Sequence, residues 1–332
     1  MNSMSVLHKG KNYQALLKDM IALYVDPQRV PGEVNIITDT SDFFRVDYDD
    51  VLILNDRPYL IRNYEREGRF GIDEQPKFWV RRAIDLVDGS VKIIKMVFPE
   101  RFEVRVGSIT FDCVRSPKKE ARILDLTRGH PHFMQGFSTR DSAGNVIRII
   151  DHINGTTIDK WISELKRGHE DYFYNTFPLI LRDYIKLVKA IKFLHDHGEK
   201  HGDIRRDHIF KDRREESYRW IDFDYNYWHR ENMFGYDLFG LGNVLVYLVG
   251  CGDVMVQDLN RHDQKAFQGL TFDDMNIIFH NRVVNLQKVY PYIPDRLNLI
   301  LLHFSAGAEI FYDDTEQFLN DLYEAGSVSG YS

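Results

Sequence analysis

His201-Gly-Asp-Ile-Arg-Arg-Asp-His-Ile-Phe210, followed by Trp220-Ile-Asp-Phe-Asp224, is the stretch on which the fold turns. Upstream, Leu179 to Leu194 repeats apolar residues at helical spacing, so Asp203 falls in a loop just after a long helix. Asp222 ends a short apolar strand 19 residues later. Two carboxylates presented at the ends of buried elements suit one metal and one base, because hard divalent cations prefer oxygen ligands that converge on one spot. A lone acidic residue in a loop is ordinarily just solvated. Both of these adjoin apolar runs, where a carboxylate is costly without a partner.

Outward from this stretch, the chain divides by pattern. The 332 residues suggest about two domains. Tyr13, Leu16, Leu17, Met20, Ile21 and Tyr24 recur at helical spacing, so residues 1–50 read as a helical extension. From Val51 to about Cys113, short runs rich in Val, Ile, Phe and Tyr alternate with turn signals such as Asn55-Asp56 and Asp88-Gly89. Lys118–Leu126 reads as a helix and Asn145–Ile150 as a strand. Beyond Asn154-Gly155 the chain is mostly helical, with strong periodicity in Leu238–Leu248 and Leu297–Phe304. A β-rich part at 51–150, a hinge at 151–155 and a helical part at 156–325 place a cleft between two lobes, where ligand sites tend to lie.

Composition narrows the function classes. With 43 Lys+Arg against 50 Asp+Glu the formal net charge is −7, which argues against salt-driven binding to nucleic acid. The only cysteines, Cys113 and Cys251, lack metal-ligand spacing and read as free thiols of a reducing cytoplasm. The longest apolar stretch, Phe239–Cys251, is short and interrupted by Gly240, Gly242 and Asn243, so it reads as a buried helix rather than a membrane span. The expected location is cytoplasmic, without membrane or nucleic-acid partners.

The motif pair resembles the protein-kinase-like phosphotransferases. The resemblance implies an α+β, bilobal fold with a β-rich N-lobe holding one key helix and a mostly helical C-lobe. It also implies ATP with Mg²⁺ or Mn²⁺ as cofactors and a hydroxyl on a protein or small molecule as acceptor. On it, Asp203 matches the catalytic Asp, Arg205 the loop cation and Asp222 the metal-binding Asp of D-F-G. Lys95, in Val91-Lys-Ile-Ile-Lys95, resembles the lysine that grips the α/β-phosphates, with Lys92 as its rival, and Glu120 resembles the glutamate that pairs with it. Gly68 and Gly71, in Arg66-Glu-Gly-Arg-Phe-Gly71, fall on two glycines of the phosphate-covering loop. Asp151-His-Ile153 resembles the hinge that meets the adenine edge. Asp237 resembles a brace for the catalytic loop.

Several positions depart from that pattern. Gly202 replaces the Arg that in many protein kinases reads a phosphate on the activation loop. Asp222 and Asp237 are only 15 residues apart, too close for a long activation loop. Phe311 stands where a late Arg is usual. These features resemble small-molecule kinases of the aminoglycoside phosphotransferase type. His208 stands where the family has an Asn metal ligand, and Asp224 replaces the Gly of D-F-G. An imidazole suits Mn²⁺ better than Mg²⁺, and Asp224 is the carboxylate expected to compensate at the metal. Two alternatives accompany the kinase reading: a pseudokinase without turnover, and AMP transfer with the nucleotide reversed.

Overall fold

The computed structural model describes residues 11–69, 72–107, 109–229 and 232–328. Its contacts separate two compact units. The first runs through Pro99 and adds Glu120–Gly129 and Met134–His152; the second takes Glu100–Lys119, His130–Phe133 and everything from Ile153 onward. The chain thus crosses between units at His152/Ile153, and the segments 100–119 and 130–133 group with the helical unit rather than with the β-rich one.

The first unit is built on seven strands: β1 (Ile36–Ile37), β2 (Val51–Leu54), β3 (Arg57–Arg69), β4 (Ile72–Asp85), β5 (Val91–Lys95) and, from later in the chain, Gly136–Arg140 and Val146–Asp151. Their order is β1, β2, β3, β4, β5, Val146–Asp151, Gly136–Arg140, antiparallel except for the β1–β2 pair. Side chains alternate across a sheet, so consecutive residues serve opposite cores. Leu52, Leu54, Tyr59, Ile61, Ile94, Ile147 and Ile149 fill one face. Val51, Ile53 and Leu60 fill the other, and there the helix Lys11–Ala22 inserts Leu17 and Ile21, both 0% exposed. The segment read as an extension is therefore a structural layer of this unit. Burying two such side chains stabilises it by about 3–6 kcal/mol.

In the second unit, β6 (Arg101–Val106) and β7 (Ile109–Arg115) form a hairpin, and the strand Tyr225–Trp228 adds to its β7 edge, giving a three-stranded sheet. A second small sheet joins Gly155–Thr157, Ile209–Asp212 and Tyr218–Trp220. The helices Phe177–Asp196 and Gly235–Val249 make the apolar centre, tied by a hydrogen bond from Tyr184 Oη to the Leu241 carbonyl at 2.6 Å. The Asp295–Leu302 and Thr315–Val328 helices follow. Gly240 explains one interruption of the apolar stretch. A Cβ there would lie 2.8 Å from the Ile204 carbonyl oxygen, so only glycine lets this helix approach the loop that bears Asp203. Among the described residues no helix is long and apolar enough to cross a membrane.

Candidate active site

In the first unit, the pairing of β5 with Val146–Asp151 sets Lys95 directly opposite Arg148. Both cations reach Glu120 on the helix Pro117–Leu126: Lys95 Nζ donates to Oε1 at 2.7 Å and Arg148 Nε to Oε2 at 2.9 Å. All three side chains are buried. The rival Lys92 lies on the other side of the alternation, bonded at 2.6 Å to Asp151, whose side chain is 56% exposed. Lys95 is thus set against a buried carboxylate and Lys92 against an exposed one. The Asp151 N–H is itself engaged by the Gln135 carbonyl at 2.9 Å, and Ile153, half-buried, opens the second unit. Gly68 sits at a register shift of the β3–β4 ladder, between Glu67 and Arg69, whereas Gly71 lies outside the described residues.

The second unit assembles the acids. After the helix Phe177–Asp196 ends, its following loop is held by Asp237, which accepts the N–H groups of His201 at 2.7 Å and Gly202 at 2.8 Å. Burial raises the Asp237 carboxyl, but bonds from His195 and the Gly202 amide more than offset it, keeping the group below the usual carboxylate range. His201 is fully enclosed; burial pushes its imidazole down to about 3, so it is neutral, and Nδ1 accepts the Asp203 N–H at 3.3 Å.

Beyond the antiparallel pair Ile209–Trp220, the Ile221 N–H donates to the His208 carbonyl at 3.0 Å, which brings the next residue, Asp222, up to His208. His208 Nδ1 donates to the Asp203 carbonyl at 2.8 Å and lies 3.6 Å from Asp203 Oδ2, while Nε2 faces Asp222 Oδ2 at 3.7 Å. His208 therefore stands between the two carboxylates. Asp222 has φ +63°, a conformation uncommon for a non-glycine residue. Carboxylate oxygens of Asp222 and Asp224 lie within 4.8 Å of each other, and His208 Nε2 stands 3.7 Å from Asp222 Oδ2, a mixed O/N donor set that suits a divalent cation.

Two expected site residues also have protein partners. Asp224, expected beside the metal, has a carboxylate oxygen within 4.8 Å of one of Asp222, and its Oδ2 is also bonded to Arg115 Nη1 at 2.5 Å, with both side chains 1% exposed. Burial pulls the Arg115 guanidinium down, and Asp224, Tyr225 and Asp222 more than reverse this, leaving it above its usual value. Arg205 Nε is bonded to Asp207 Oδ1 at 2.9 Å, which holds the guanidinium beside the acid loop.

Arg115, Arg148 and Lys119 were not singled out by sequence reasoning. The signals were there. Arg148 interrupts the apolar run Val146-Ile-Arg-Ile-Ile150, where an unpaired charge is costly. Lys119 is a cation in the first turn of a helix, against the macrodipole.

No family profile matches the chain. A Caenorhabditis elegans protein named as a ribosomal protein S6 kinase alpha-2 is 26% identical over 180 residues, which is 53% of this chain and 18% of that relative's length. Among solved structures, the kinase domain of Mycobacterium tuberculosis PknI is similar at a TM-score of 0.45 and 12% identity, over 80% of this chain and 96% of that one. A double mutant of the same domain gives 0.47 and 13%, over 81% and 96%.

Proposed function

We propose that this protein-kinase-like chain is a phosphotransferase that moves the γ-phosphoryl group of ATP to a hydroxyl. The observation that carries the reading is the placement of His208 between Asp203 and Asp222 in the second unit. In this reading Asp203 orients the acceptor hydroxyl and takes its proton. Asp222, His208 and Asp224 would hold a divalent cation, which when bound neutralises charge on the phosphates. Lys95, fixed by Glu120, grips the α/β-phosphates, and Arg205 offers a cation to the transferring group. Such a site works by position and charge rather than through a covalent intermediate.

The acceptor is smaller than an extended peptide. Asp222 and Asp237 are only 15 positions apart, and four residues between them, Tyr225–Trp228, are committed to the ladder with β7. That leaves little chain to build a platform for a long substrate, which favours a small molecule or a compact protein site.

Incubation with ATP labelled at the γ- or the α-phosphorus, in a lysate supplemented with Mg²⁺ or Mn²⁺, tests the assignment. Label is expected to transfer from the γ position only, and Asp203→Asn should cut turnover at least about 10²-fold while ATP still binds. Transfer of the α label would make the protein an AMP transferase. No transfer with either cation would leave a nucleotide-binding module without turnover.

A further inference from the structure

We propose that Lys119 is a positioning residue that sets the separation of Asp203 and Asp222, an inference that rests on the phosphotransferase reading of these two acids. Lys119 is 1% exposed, and its Nζ donates to three carbonyl oxygens: His201 at 2.7 Å, Phe223 at 2.9 Å and Tyr225 at 2.5 Å. The first belongs to the loop that ends in Asp203. The other two belong to the segment that begins at Asp222. An ammonium group has three N–H donors around one point, a match for convergent carbonyls that a planar guanidinium lacks.

The surrounding bonds give this contact its leverage. The His201 peptide is gripped from both ends, its N–H by Asp237 and its carbonyl by Lys119. Phe223, Asp224 and Tyr225 offer three successive carbonyls to one short stretch: Lys119 takes the outer two, and the Ser116 N–H takes that of Asp224 at 2.7 Å. Arg115 pairs with the Asp224 side chain and stands opposite Tyr225 in the ladder. Gly202 closes the arrangement: a Cβ there would come within 1.9 Å of the Tyr225 oxygen and 3.2 Å of Lys119 Nζ. No side chain fits at 202, and the cation that fixes the two acid-bearing stretches is instead supplied by Lys119.

Four proteins decide the matter: the full chain, Lys119→Gln, Lys119→Met, and Tyr184→Phe as a variant that loses a buried hydrogen bond elsewhere in the same unit. Lys119→Met is the stronger perturbation; if it does not fold, Lys119→Gln decides. Each is read by amide hydrogen exchange, by Mn²⁺ binding followed as loss of the free-ion electron paramagnetic resonance signal, and by thermal unfolding. Lys119→Gln should raise exchange at residues 201–203 and 223–225 and weaken Mn²⁺ binding about tenfold, the size typical for partners that orient metal ligands. Tyr184→Phe should lower the melting temperature and move neither reading.

Unchanged exchange and Mn²⁺ affinity in Lys119→Gln would overturn the proposal. So would changes no larger than those of Tyr184→Phe. If the full chain transfers no label from ATP, the phosphotransferase reading fails by itself; selective loosening of the two stretches in Lys119→Gln would still establish the tether.

Discussion

Gly202→Ala is the substitution whose effect the structure specifies most closely. Gly202 has φ +86°, and a left-handed backbone costs an L-residue about 1–2 kcal/mol. The added methyl would also lie 1.9 Å from the Tyr225 oxygen and 2.7 Å from its carbonyl carbon. Both are backbone atoms, so relief requires moving a strand that is itself in register with β7, and overpacking of this kind costs about 1–3 kcal/mol. The sum is about 3 kcal/mol, or about 6–12 °C in melting temperature for a unit of this size. Gly198 supplies the control. It has a comparable φ of +72° but open space where a Cβ would go, so Gly198→Ala carries only the backbone part, about 1–2 kcal/mol. Calorimetric scans of both variants in one buffer isolate the clash as their difference. If Gly202→Ala melts no lower than Gly198→Ala, the close approach of the loop to Tyr225 is wrong, and with it the claim that position 202 cannot bear a side chain.

Lys95→Met should weaken ATP binding about 10- to 100-fold, the loss of one charge-assisted hydrogen bond, while Lys92→Met removes a surface pair and changes binding less than about threefold; equilibrium titration with ATP compares the two, and equal losses would undo the assignment of Lys95. Activity with Mn²⁺ should at least equal that with Mg²⁺, and His208→Ala should lower the Mn²⁺-to-Mg²⁺ activity ratio about tenfold; a strong Mg²⁺ preference untouched by His208→Ala or Asp224→Ala would remove both from the metal. Stability should fall between pH 7 and pH 5. His201 is held neutral at about 3 in the folded chain, against an unfolded value of 6.5, so below pH 6.5 the unfolded state takes up a proton that the native state refuses. That linkage alone removes about 2 kcal/mol over the interval, and burial acts in the same direction on His130 and His169. Urea titrations at the two pH values measure it, and a flat profile would contradict the burial of His201.

Much of this was legible in the sequence because it rests on local pattern. Period-two alternation distinguished the faces of Val91–Lys95, and the periodic helix Phe177–Asp196 announced the loop that follows it. The short apolar run Phe239–Cys251, interrupted by Gly240, Gly242 and Asn243, signalled a buried helix. What escaped were interactions between residues far apart in the chain. Arg115 and Asp224 are 109 positions apart and Lys119 and Tyr225 are 106 apart, so no spacing rule links them. The hairpin of β6 and β7 read as more of the N-terminal sheet, since strands carry no mark of the sheet they will join. The place of Asp224 in the motif suggested a ligand, but only the fold reveals that its Oδ2 also pairs with Arg115.

The helix Lys11–Ala22 bears on how the protein can be cut. A fragment trimmed to begin at Val51, the first residue that looks like a conventional domain start, would leave Val51, Ile53 and Leu60 with water where Leu17 and Ile21 had been. Such a fragment would offer a greasy, half-finished sheet surface to its neighbours in solution, and poor yield or clumping would then report on the missing cover rather than on the chemistry.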